Sequence, residues 1–71
     1  MERVLDVRGL RCPIPLVRAR AALPELGGGD LLVVLTTDPE APVDLGALAA
    51  DNGLRVDVEP EPGGWRVTLR R

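Results

Sequence analysis

Covalent chemistry in this sequence has one evident carrier, Cys12, the only cysteine. It lies in the stretch Asp6-Val7-Arg8-Gly9-Leu10-Arg11-Cys12-Pro13-Ile14-Pro15, which also holds two of the seven prolines and a local excess of arginine. Pro13 lacks an N–H and has its φ fixed near the helical value, so it suits the first position of a helix. Pro15 falls in the same first turn, where backbone N–H groups have no intrahelical partner. The two prolines therefore fix where a helix begins and make Cys12 its N-cap or the neighbouring residue. The helix dipole places partial positive charge there and favours thiolate over thiol. Arg8 and Arg11 add to that field if their side chains fold back. A lone cysteine in a small domain is often a buried apolar residue. One preceded by Arg and followed by Pro-Ile-Pro has instead the setting of an exposed, reactive thiol.

The residues that are missing restrict the chemistry further. There is no His, Ser, Tyr or Lys, which removes the usual general base, the Ser and Lys nucleophiles and most zinc ligands. A cysteine without histidine cannot form a Cys-His pair. The chain is therefore expected to be a component of a reaction rather than a complete stand-alone enzyme. Asp38, Glu40 and Asp44 form a short acidic series, but their spacing fits no calcium loop and predicts a solvated, helix-capping role. Gly27-Gly28-Gly29 is followed by neither Lys nor a helix, so it reads as a flexible turn before a strand and not as a phosphate loop.

Bulk properties set the frame for these residues. Seventy-one residues allow one small domain, spanning 1–71, that buries only about 60% of its unfolded surface. A single cysteine excludes an internal disulfide and a Cys-x-x-Cys pair, which points to a reducing compartment. No apolar run is long enough to span a bilayer and the first residues lack a signal-peptide pattern, so the expected location is the cytoplasm and not a membrane. The net charge is −2. Residues 1–35 carry five Arg against four acids, whereas residues 36–71 carry four Arg against seven acids. An acidic second half with one tryptophan as its only aromatic gives neither the basic footprint nor the stacking platform of a nucleic-acid binder.

Several short elements must position the cysteine. Val4 to Val7 reads as a strand ended by Gly9. The first helix starts at Pro13, and Leu16, Ala19, Leu23 and Leu26 recur on one face as a core stripe, with Pro24 ending or bending the helix near Leu23. Leu31-Leu32-Val33-Val34-Leu35 is an unbroken apolar run suited to an internal strand, parallel to the first across the helix. Pro42 opens a second helix that buries Leu45, Leu48 and Ala49 and is capped by Asn52-Gly53, although Gly46 lowers its propensity. Leu54, Val56 and Val58 alternate with polar residues, and Pro60-Glu61-Pro62-Gly63-Gly64 reads as the turn. Trp65, Val67 and Leu69 then return on the same apolar face, completing an antiparallel hairpin with its polar face in water. The order β-α-β-α-β-β predicts an α/β (α+β) two-layer sandwich, with two helices on one face of a four-stranded mixed sheet.

The pattern Asp6-x-Arg8-Gly9-Leu10-x-Cys12-Pro13-x-Pro15 resembles the signature of the TusA/SirA/YedF family of small sulfur-carrier proteins. Asp38-Pro39 followed by Asp44-Leu45, Gly53 closing a helix, and Gly63-Gly64-Trp65-Arg66-Val67 are similar to the rest of that family's sequence. The resemblance therefore covers nearly the whole chain. It implies the same two-layer sandwich, a fold also similar to the C-terminal domain of bacterial translation initiation factor 3, although likeness of fold alone says little about function. It implies that Cys12 carries a persulfide received from a cysteine desulfurase. Pyridoxal phosphate is then a cofactor of that donor and not of this chain. A downstream sulfur-acceptor protein takes the sulfur, for example toward 2-thiouridine in tRNA.

A carrier of this kind needs one accessible, low-pKa thiol and no base, metal or second cysteine of its own. In that reading Pro13 and Pro15 hold the helix mouth rigid, and its N–H groups support the anionic sulfur. Gly9 lets the chain turn tightly; Asp6 either bonds to loop backbone or is an ordinary solvent-facing strand residue, and Arg8 and Arg11 either dock partners or are plain solvated charges. The sequence departs from the family in its second helix, with Leu48 where members often carry an aromatic and Gly53-Leu54 where many have Gly-His. Those departures bear on which acceptor is served. The alternative class is a regulatory or protein-interaction module in which Cys12 is structural or redox-sensing and transfers no sulfur.

Overall fold

The longest apolar run becomes the strand on which the sheet is built. In the computed structural model, which describes residues 1–71, β2 (Leu31–Thr36) lies between β1 (Glu2–Asp6), which runs parallel to it, and β4 (Gly64–Arg70), which runs antiparallel. β3 (Arg55–Glu61) pairs with β4 and completes the order β1-β2-β4-β3. Two helices, α1 (Ile14–Ala22) and α2 (Ala41–Asp51), pack on one face of this mixed sheet. The two-layer sandwich expected from the sequence is the fold observed.

Alternation along the strands decides which residues enter the core. Leu32 pairs with Leu69 and Val34 with Val67, and all four are fully buried beneath Ala19, Leu45, Leu48 and Ala49 of the helices. The opposite face carries no helix, yet β2 remains apolar there as well. Val33, on that face, is 8% exposed because Val4 and Thr68 flank it in the neighbouring strands. An inner strand can therefore read as an unbroken apolar run without a second helical layer. At the edge, Val56 and Val58 of β3 remain partly exposed, although α2 packs against that strand.

Proline and glycine set the element boundaries. Pro13 is the N-cap of α1 and Pro15 its second residue, so the helix begins one position later than the sequence indicated. Pro24 confines α1 to Ala22 and turns Leu23–Glu25 into a single 3₁₀ turn. α2 tolerates Gly46 because Leu45, Leu48 and Ala49 are buried on either side of it. It ends in a Schellman motif, in which Leu54 N–H donates to Ala49 C=O at 2.8 Å and Gly53 N–H to Ala50 C=O at 3.4 Å.

The hairpin turn is shorter than the five residues expected. Pro60, Glu61 and Gly64 are paired within the strands, leaving Pro62-Gly63 as a two-residue connection. Pro60 is tolerated because β3 is an edge strand and one of its sides has no ladder to supply. No helix of the chain is long and apolar enough to cross a membrane.

Candidate functional site

Parallel pairing of β1 with β2 sends both strand-to-helix loops out of the same end of the sheet, the end at which open sheets with parallel strands place their sites. The first loop runs from Val7 to Pro13 and the second from Thr37 to Glu40. They flank an open cleft of about 670 Å³ lined by Gly9, Leu10, Arg11, Cys12, Thr37, Asp38, Pro39 and Glu40. Cys12 is exposed at its mouth as a free thiol, immediately before the α1 N-cap and across a cis Cys12–Pro13 peptide bond.

Hydrogen bonds from the second loop hold the first one. Gly9 N–H donates to Thr37 Oγ1 at 2.9 Å, and Gly9 has a φ of 82°, which glycine adopts at little cost. Cys12 N–H donates to Asp38 Oδ2. Asp38 Oδ1 accepts the Glu40 N–H at 3.1 Å, and the Asp38 N–H donates to the buried Thr36 Oγ1 at 3.2 Å. Asp38 is thus the tie between the cysteine loop and the start of α2. Gly64 makes that position possible from below, because a Cβ there would run into the Thr36 carbonyl oxygen.

The electrostatics of the thiol differ from the sequence expectation. Asp44, in the first turn of α2, accepts a hydrogen bond from Cys12 Sγ at 3.1 Å. That bond, partial desolvation, and the negative charges of Asp44, Glu40 and Asp38 push the Cys12 thiol up from 9.0 to about 11. A carboxylate accepting the S–H proton favours the neutral thiol, the opposite of what the helix dipole alone does. The helix mouth is also poor in donors. Pro13 and Pro15 have no N–H to offer, and the Ile14 N–H is spent on the Arg11 carbonyl at 2.9 Å. The prolines that fix the helix start remove two of the first-turn N–H groups expected to support an anion there.

The basic residues do not reverse this. Arg8 is committed to Asp6, through Nε to Oδ1 at 2.9 Å and through its terminal nitrogen to Oδ2 at 2.7 Å. Asp6 Oδ1 also accepts the Arg8 backbone N–H at 3.1 Å. Arg8 holds the Asp6 carboxyl down at about 2, and Asp6 in turn raises Arg8. Arg11 lines the cleft and is exposed.

The structure therefore brings Gly9, Arg11, Cys12, Pro13 and Pro15 to one loop and helix start, and leaves Asp6 and Arg8 as a neighbouring exposed pair. It adds Thr37, Asp38 and Asp44, which the sequence reading did not place at the site. Asp38 and Asp44 are not simply solvated caps, since both bond to Cys12 from 26 and 32 residues away. Their presence in Asp38-Pro39 and Asp44-Leu45, within the family resemblance, was the available signal. No group of three or more His, Cys, Asp or Glu is placed to hold a metal ion.

A relative from Neisseria meningitidis, described as a candidate sulfur carrier protein, is 49% identical over 70 residues, covering 97% of this chain and 95% of that protein. The sulfur carrier protein TusA of Allochromatium vinosum is 36% identical over 63 residues, covering 89% of this chain and 83% of its own. The crystal structure of a SirA-like protein from Desulfitobacterium hafniense superposes with a TM-score of 0.86 at 32% identity, covering 97% and 95% of the two chains. The family model for sulfurtransferase TusA matches residues 3–71, and the chain belongs to that family.

Proposed function

We propose that this protein is a sulfur carrier that holds a sulfane sulfur as a persulfide on Cys12. The observation that carries the reading is the placement of the only cysteine: exposed at the mouth of an open cleft and tied down through its backbone. The names of the relatives point to the same role. The donor in this reading is a cysteine desulfurase and the recipient a sulfur-acceptor protein, with 2-thiouridine synthesis in tRNA as the leading pathway.

Loading is a persulfide exchange. The Cys12 sulfur attacks the outer sulfur of R–S–SH, the donor S–S bond breaks, and a new S–S bond forms at Cys12. The displaced donor thiolate takes up the proton that Cys12 loses, giving Cys12–S–SH and R–SH with no oxidant or reductant consumed. In the isolated protein the thiolate is roughly one part in ten thousand at pH 7, from a thiol raised to about 11. The exchange is therefore slow until a docked donor alters the surroundings of the thiol.

That same feature favours the second reading, an interaction module in which a quiescent Cys12 transfers nothing. One experiment separates the two. The protein and a Cys12→Ser variant are incubated with a cysteine desulfurase and free cysteine, and intact masses are recorded without reductant. Gain of one sulfur atom, reversed by dithiothreitol and absent from the variant, supports the carrier. An unchanged mass with several desulfurases leaves the interaction module.

A further inference from the structure

The role of Asp44 follows from its position against the reacting sulfur. Its Oδ2 is 3.1 Å from Cys12 Sγ, and the charges that act on that sulfur, those of Asp44, Glu40 and Asp38, are all negative. Asp38 occupies the Cys12 N–H and Glu40 is the third carboxylate at this end of α2. Within α1, Pro13 and Pro15 have no N–H and Ile14 is bonded to Arg11. At the start of α2 the Ala41 N–H is bonded to Asp38 C=O at 3.1 Å and the Asp44 N–H to Glu40 C=O at 3.0 Å. Of the cations on the cysteine loop, Arg8 is paired with Asp6 and Arg11 is exposed to solvent.

We propose that Asp44 sets the direction of sulfur flow: it holds the unloaded Cys12 as a hydrogen-bonded thiol and repels the persulfide anion that replaces it, so that the loaded carrier is poised to give its sulfur up. This rests on the carrier reading above. In the unloaded state Sγ–H donates to the carboxylate. After exchange, Cys12–S–SH carries its proton on the outer sulfur, and a hydropersulfide is a stronger acid than the parent thiol, so that proton passes to water. A neutral hydrogen-bond donor has become an anion beside a carboxylate. The repulsion acts on the loaded form alone and draws the exchange equilibrium back toward the empty carrier.

The test measures that equilibrium without a protein donor. Wild type, Asp44→Asn, Asp44→Glu and, as a surface control at the far end of α2, Asp51→Asn are equilibrated with glutathione persulfide and glutathione at fixed ratios. Loaded and empty masses are then counted. Asn matches Asp in size and keeps an acceptor for the S–H, while removing the charge. The Asp44→Asn protein is expected to load about three- to tenfold more favourably, the effect of one neighbouring charge in a largely aqueous setting. Asp44→Glu and Asp51→Asn should stay near wild type, and added salt should raise loading of wild type more than of Asp44→Asn, where only Glu40 and Asp38 still repel the anion.

The pH midpoint of Cys12 alkylation, read on the same proteins, should fall from about 11 toward 9.0 only in Asp44→Asn. A merely structural role would not move it. Wild type that loads, with no gain in a folded Asp44→Asn, overturns this proposal and leaves the carrier standing. Failure of wild type to load at all, with Cys12 still alkylating, overturns both.

Discussion

The carboxylate of Asp38 accepts the backbone N–H of Cys12 across 26 residues of sequence, joining two loops that leave adjacent parallel strands. Its other oxygen caps the approach to α2 through Glu40 N–H, and its own N–H is held by a buried threonine. One side chain therefore positions the cysteine relative to the sheet and to the second helix together. This cross-loop tie holds the cysteine in addition to the prolines that begin α1.

Replacing Asp38 by Ala should free both loops. Two backbone donors lose their acceptor, and because they lie near solvent water partly replaces it, so the expected loss is about 1–2 kcal/mol. Amide exchange gives the sharper readout. The Cys12 and Glu40 N–H groups should lose protection together in the variant, while Gly9, held by Thr37, loses less. Unchanged protection at Cys12 would show that the tie is dispensable.

Reactivity of the thiol should follow its raised acidity constant. Iodoacetamide traps the thiolate, so its rate should climb about tenfold per pH unit above neutrality and level only near 11. Stability carries the same sign. The folded state favours the protonated thiol, so this contribution is complete below 9.0 and is lost as pH rises from 9.0 to about 11. An alkylation profile levelling near pH 8 would contradict the Asp44 hydrogen bond.

Two glycines should respond to alanine with opposite signs. At Gly64 a Cβ meets the Thr36 carbonyl, with no flexible side chain to give way, so strain of about 1–3 kcal/mol is expected. Because Thr36 and Thr37 lead into the site, Cys12 amide protection should fall as well. At Gly46, within α2, a Cβ meets nothing within 4 Å, and Ala should stabilise by about 0.4–1 kcal/mol through helix propensity. Urea denaturation of both variants checks the contrast.

Periodicity made the architecture legible. The period-2 pattern of Val67 and Leu69 marks one face of β4, the stripe of Leu16, Ala19, Leu23 and Leu26 marks the buried side of α1 and the turn that follows it, and the apolar run marks β2 as the inner strand. The cysteine and its prolines were legible because a local rule, the chemistry of helix starts, governs them. What failed needed tertiary placement. Asp38 and Asp44 read as solvated because no local rule ties them to a cysteine 26 or 32 residues away. The thiol's acidity departs from the local expectation for the same reason, since a bonded carboxylate from another helix outweighs a dipole with two of its first-turn donors missing. Pro60 has the composition of a turn residue, and only the edge position of β3 lets it sit in the ladder opposite Trp65 and shorten the hairpin turn.

The Asp6–Arg8 pair offers a test in acid. Arg8 donates to both carboxylate oxygens of Asp6, and its backbone N–H adds a third bond. These favour the ionised carboxyl and hold it near 2 instead of 3.8. The associated stability is present above 3.8 and is lost as pH falls from 3.8 to about 2. In Arg8→Ala the side-chain bonds and the positive charge go while the backbone N–H remains, so the Asp6 carboxyl should move up toward 3.8 without reaching it. Both partners are half exposed or more, where ion pairs contribute little to folding, so the denaturation midpoint at neutral pH should hardly change. A carbon-detected titration of the Asp6 carboxyl in both proteins settles the point: equal midpoints would mean that Arg8 is not held on Asp6 and is free to face the Cys12 cleft.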